Sequence, residues 1–109
     1  MLIEVREYVD DGGTSPFGRW FAGLNTPAAA KITVAIARIE RGNLSNAKSV
    51  GEGMLEYRID FGPGYRVYFG RDGDVLVILL AGGTKQRQGN DIETAKAHWA
   101  DYKRRRPKR

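Results

Sequence analysis

Between Met54 and Lys85 the chain reads MLEYRIDFGPGYRVYFGRDGDVLVILLAGGTK, and the period-two alternation of its first half restricts it to a hairpin with one buried side. Leu55, Tyr57, Ile59 and Phe61 fall on one face, with Glu56, Arg58 and Asp60 on the other. After Gly62-Pro63-Gly64 the pattern resumes, with Tyr65, Val67 and Phe69 against Arg66 and Tyr68. A three-residue loop pairs Phe61 with Tyr65, which sets Arg58 opposite Tyr68 and Asp60 opposite Arg66. Slipping the register by one residue would drive charges into the apolar face, at a cost no turn preference offsets. The expectation is a hairpin buried on its odd face, displaying arginines, carboxylates and a tyrosine on its even face.

The rest of the chain supplies cover for that apolar face. Leu2 to Val9 reads as a first strand anchored by Ile3, Val5 and Tyr8, ended by Asp10-Asp11-Gly12-Gly13. Ser15-Pro16 is an N-cap followed by proline at the first helical position. Phe17, Trp20, Phe21 and Leu24 then recur at helical spacing. Thr26-Pro27 repeats the start signal for a second helix with Ala28, Ile32, Ala35, Ile36 and Ile39 inward, stopped by Gly42-Asn43. Asn43 to Gly53 reads as a polar loop. Asp72-Gly73 turns the chain into Val75 to Ala81, apolar at every position and therefore expected to be covered on both faces. Asp91 is expected to cap a final helix with Ile92, Ala95, Trp99 and Tyr102 inward. The order β-α-α-β-β-β-α defines an α+β domain spanning residues 1–109, a helical hairpin packed on a mostly antiparallel four-stranded sheet.

Charge is distributed unevenly. The net charge is +5, but six of the 18 basic residues lie in the tail, at Lys103, Arg104, Arg105, Arg106, Lys108 and Arg109. The body keeps 12 basic against 13 acidic residues, so affinity for nucleic acid has to come from local patches or the tail. No cysteine is present, which excludes disulfides and thiolate metal sites and fits a reducing cytoplasm. The N-terminal residues have no basic region followed by an apolar run, so no secretory leader is expected. The apolar run at Val75 is far too short for a membrane span.

The order of elements, the segment GNLSNAKSVGEGMLEYRIDFGPGYRVYF and the later LLAGGTKQRQGNDI resemble the RelE/ParE superfamily of bacterial toxins. Within it the chain is similar to the small addiction-module killer group, close to HigB-type toxins. The resemblance runs from about Phe17 to Trp99 and is most specific at GPGYRVYF and GG-x-K-x-x-Q. It implies a toxin of a type II toxin–antitoxin pair, cytoplasmic and free of cofactors. Its cognate antitoxin would be a small helix-turn-helix protein encoded by the neighbouring gene, and the pair would reach operator DNA through that antitoxin. One branch of the superfamily cuts messenger RNA on the ribosome, and another inhibits DNA gyrase. A relic that only binds antitoxin and co-regulates its operon is a third alternative.

A ribonuclease that takes its nucleophile from the substrate 2′-hydroxyl needs a base, an acid for the leaving 5′-oxygen and positive charge on the phosphorane. No metal enters this scheme. Arg58 and Arg66, on adjacent strands, are the leading phosphate ligands, although a cross-strand ion-pair ladder with Glu56 and Asp60 explains them as well. Lys85 follows what reads as a Gly82-Gly83 turn, and Lys48 matches the loop lysine of the family. Tyr68 either stacks a base or is partly buried beside the central strand. Gln88 and Arg87, in the short motif, and Lys103, Arg104 and Arg105 in the tail are the expected RNA contacts. His98 is the one histidine, in mid-helix beside Trp99. Gly62-Pro63-Gly64 and Gly82-Gly83-Thr84-Lys85 lack the spacing and helix of a phosphate-binding loop.

Overall fold

The computed structural model describes residues 2–106. Its elements are β1 (Glu4–Glu7), α1 (Pro16–Ala22), α2 (Thr26–Glu40), β2 (Ala47–Gly51), β3 (Met54–Ile59), β4 (Tyr65–Arg71), β5 (Leu76–Thr84), a short 3₁₀ turn (Lys85–Arg87) and α3 (Gln88–Arg105). The sheet has five strands in the order β1-β5-β4-β3-β2, with β1 parallel to β5 and the other pairs antiparallel. The α+β class and the helical hairpin agree with the sequence reading; the strand count does not. The segment read as a polar loop contains β2, whose Lys48 pairs with Glu56 and Ala47 with Tyr57. β2 is an edge strand too polar to show alternation, and it exists because β3 presents free backbone groups to it.

The sheet separates two cores. Phe17 on α1, and Ala28, Ile32, Ala35 and Ile39 on α2, pack with Tyr57, Ile59, Val67 and Phe69 on one face. Trp20, Phe21 and Ile36 close around that cluster, so the odd face of the hairpin meets the helical hairpin as the alternation requires. Ser15 Oγ accepts from the Gly18 amide at 2.9 Å to start α1, and Asn25 rather than Thr26 caps α2. On the opposite face α3 lays Ala95 and Trp99 over Met54, Tyr68, Ile78 and Leu80. The even face is therefore largely covered, where sequence alone suggested display.

Glycines permit this double cover. A Cβ at Gly82 would stand inside the Trp20 indole, one at Gly83 on the Asp91 carboxylate, and one at Gly70 against Trp99. Gly82 and Gly83 are thus strand residues shaved for helix approach, not the turn expected before Lys85. Tyr68 pairs with Ala81 and Phe69 with Leu79, leaving Leu80 as an extra residue. That bulge reverses the parity of the strand end and aims Gly82 at α1 and Gly83 at α3.

The hairpin register also differs from expectation. Ile59 pairs with Tyr65, so residues 60–64 form a five-residue connection. Gly62 and Gly64 both take positive φ, at 55° and 81°, and the Gly64 amide donates to Phe61 O at 3.0 Å. The shift is two residues, so the faces stay as read while the partners change. Arg58 is opposite Arg66 and Glu56 opposite Tyr68. Asp60 lies in the connection, not opposite Arg66.

Candidate functional site

Four elements converge on Glu56. Its residue is fully enclosed, at 0% exposure, and its Oε1 lies 3.4 Å from Arg58 Nε, 3.8 Å from Arg66 Nε and 3.9 Å from Lys48 Nζ. Its Oε2 accepts from Gln88 Nε2 at 2.6 Å. A carboxylate on β3 therefore gathers cations from β2, β3 and β4 and ties the first residue of α3 to them. Burying one charge costs several kcal/mol, of order, unless it is paired; three cations and a donor here compensate it.

Arg66 is 7% exposed, which corrects its expected placement on an open face. Its Nη1 donates to Tyr65 O at 3.3 Å, while Nε makes no hydrogen bond. Tyr68 is fully enclosed opposite Glu56, with its Oη turned to that carboxylate, and offers no ring to a base. Burial first, then the charge of Glu56, pushes its phenol far above the ordinary range, which keeps it protonated. Asp91 is inside α3, three residues past its start, and does not cap it. One of its oxygens is enclosed and unbonded, and burial raises its pKa, partly opposed by Arg87. Among the described residues, the buried side-chain polar atoms without a hydrogen bond of ordinary geometry are Arg66 Nε, Tyr68 Oη and Asp91 Oδ2. All three belong to this neighbourhood, two of them beside Glu56.

The surface above the cluster is open. Arg58 is half exposed, and with Lys48, Asp60, Ser45 and Asn46 it lines a cleft of about 350 Å³. Lys85 starts the 3₁₀ turn and is exposed; its amide donates to Gly64 O at 2.7 Å. A Cβ at Gly64 would lie 3.4 Å from Lys85 Cβ and 3.7 Å from Arg66 Nη1, so those two side chains flank the same glycine. The fold thus brings Lys48, Arg58, Arg66, Lys85 and Gln88 together, with Arg87 one residue away.

It separates the rest. Lys103, Arg104 and Arg105 lie at the other end of α3, about 25 Å from Gln88 at 1.5 Å per residue. There they have local partners: Arg104 and Arg105 pair with Asp101, and Lys103 Nζ is 5.2 Å from the Trp99 ring centre. The end of the tail, 107–109, lies outside the described residues. His98 stacks on Tyr8 with ring centres 4.9 Å apart, and burial lowers its pKa, so it is a neutral packing residue remote from the cluster. Asp91, expected to cap α3, is the member that sequence reasoning missed. Parity placed Glu56 among basic residues, but only α3 makes it a buried hub.

A helical hairpin on one face, a mixed sheet and a helix on the other form the RelE fold. The chain superposes on a mutant of the E. coli toxin RelE in the free state with a TM-score of 0.61, covering 85% of this chain and 97% of that one. Identity is 11%, so that likeness speaks for the fold alone. Residues 19–105 match the family described as Phage derived protein Gp49-like (DUF891), and the chain belongs to it. A curated protein of Haemophilus influenzae (strain Rd), described as uncharacterized, is 49% identical over 84 residues, covering 76% of this chain and 85% of that protein. Family and fold together bear out the resemblance to the RelE/ParE superfamily. Among the described residues no helix is long and apolar enough to cross a membrane.

Proposed function

We propose that the chain is the toxin of a type II toxin–antitoxin pair and that it cleaves messenger RNA on the ribosome without a metal. The observation that carries this reading is the Glu56 hub, which holds the exposed Arg58 and Lys48 along one cleft and the buried Arg66 beside them, its Nε ion-paired to Glu56 without a hydrogen bond. Guanidinium and ammonium groups so held suit the doubly charged phosphorane formed when the 2′-hydroxyl attacks phosphorus and the 5′-oxygen departs. The attacking hydroxyl passes its proton to solvent water, the P–O5′ bond breaks as the leaving oxygen gains a proton, and the products are a 2′,3′-cyclic phosphate and a 5′-hydroxyl. Pre-set charge of this kind is worth about 10² to 10³ in rate per group. Lys85, exposed beside Arg66, is our candidate donor to the leaving oxygen. A small neighbour-encoded helix-turn-helix antitoxin is the expected physiological control.

The test is primer extension on cellular messages after brief induction without antitoxin. Wild-type chain should produce discrete stops. Arg58→Ala, at a half-exposed position, and Arg66→Lys, which keeps a cation but loses the guanidinium fork, should weaken them strongly while antitoxin binding persists. Arg66→Ala is less clean, because that side chain is buried against Glu56. Intact messages together with loss of DNA supercoiling would transfer the assignment to the gyrase-inhibiting branch.

A further inference from the structure

A second cleft adjoins the first. It has a volume of about 230 Å³ and lies between α2 and the end of β3, sharing Asn46, Arg58 and Asp60 with the cleft above the Glu56 hub. Its new cations are Lys31 and Arg38, seven residues apart on α2 and therefore on one side of the helix. Lys31 Nζ lies 5.2 Å from the centre of the Phe61 ring, which forms part of the wall. Across both clefts four cationic side chains face one carboxylate, Asp60. The cations are not needed to hold the core: Lys31, Arg38 and Arg58 are exposed.

We infer that the two clefts form one continuous subsite for single-stranded RNA, entering over Arg58 and Lys48 and continuing along Lys31 and Arg38 of α2. This inference rests on the nuclease reading and extends it to how the substrate strand is held away from the scissile bond. Charge and shape both fit such a strand. A cationic furrow with an aromatic wall is what a sequence-tolerant single-strand binder uses, phosphates on the cations and a base against the ring. An amphipathic protein helix would need a row of apolar anchors in the groove. Here Val34 is the one markedly exposed large aliphatic side chain of the wall, at 49%.

The test is fluorescence anisotropy with a 2′-O-methyl oligoribonucleotide, which cannot be cleaved, titrated at several salt concentrations. Each lost phosphate contact on a single strand lowers the salt slope by about 0.7, so Lys31→Ala/Arg38→Ala should lower it by about 1.4. The matching affinity loss is about sixtyfold at about 50 mM salt and about tenfold at about 200 mM. Both positions are exposed, so thermal melting of the variant should be unchanged. Equal binding by the two proteins, or no binding by either, overturns the inference. So does a poly-glutamate peptide whose binding depends on Lys31 and Arg38 while oligonucleotide binding does not, which would give the furrow to an acidic protein segment. Binding that depends on the two residues, in a protein that leaves messages intact, preserves the inference and removes the cleavage reading. Cleavage without that dependence does the reverse.

Discussion

The two ends of α3 solve the same electrostatic problem differently. At the C-terminal end, Tyr8 Oη donates to Asp101 Oδ2 at 2.6 Å, and Arg105 donates to the same carboxylate and to Val9 O. Arg106 and Tyr102 both donate to the buried Asp72, at 2.8 and 2.7 Å. At the N-terminal end, cations also surround a buried carboxylate, yet Arg66 Nε, Tyr68 Oη and Asp91 Oδ2 make no hydrogen bond of ordinary geometry. A closed network fastens the helix to the sheet. The other end keeps two of its cations, Lys48 and Arg58, exposed along a cleft, which suits binding an anion. The same contrast appears in two carboxylates of one helix. Asp101 is held below the usual carboxylate range, first by the Tyr8 hydroxyl and then by Arg105, whereas burial pushes Asp91 up.

The comparison breaks most readily at Glu56. Glu56→Ala leaves enclosed guanidinium charge without its counter-charge and should destabilise by about 3–5 kcal/mol, read from urea denaturation. A loss under about 1 kcal/mol would mean that the hub is not a buried charge centre. Next in size is Gly70→Ala, whose added methyl meets Trp99 and should cost about 1–3 kcal/mol by displacing α3. Covering of the even face depends on that contact, so a neutral result would argue that α3 is loosely docked.

A pH series sharpens the contrast further. The folded-state pKa of Asp101 is depressed, so its contribution is present above the ordinary value of 3.8 and lost as pH falls through the folded value. Asp101→Asn should therefore lower the melting temperature at neutral pH and matter less in acid. For Asp91 the sign is opposite: its raised pKa is a cost at neutral pH that protonation relieves as pH falls towards 3.8. Asp91→Asn should raise the melting temperature at pH 7, with the gain fading in acid. Equal slopes for the two variants would erase the distinction between the ends. The smallest effect belongs to Arg104→Ala. That side chain is 70% exposed and its pairing with Asp101 is screened, so stability should change by less than about 0.5 kcal/mol.

Much of this was legible from residues alone. Alternation assigned Tyr57, Ile59, Val67 and Phe69 to one core, and helical spacing gave Trp20, Phe21 and Ile32 as their cover, because periodicity is a local property of the chain. Ser15-Pro16 and Gly42-Asn43 punctuated the helices for equally local reasons: a side-chain acceptor for a free amide, and a positive φ of 78° at Gly42. Parity also survived the two-residue error in register, since a shift of two leaves each side chain on its face.

What needed the tertiary structure depended on contacts distant in sequence. Strand β2 is polar and exists through pairing with β3. Gly82 and Gly83 resemble a turn until Trp20 and Asp91 press on them from opposite sides. Above all, alternation says which residues share a face and nothing about what lies over it. The helix beginning at Gln88 converts an even face expected to meet water into a second core, and it changes Glu56 from one rung of a surface ladder into an enclosed anion. The dielectric around a charge depends on everything packed near it, and no local pattern in a sequence encodes that.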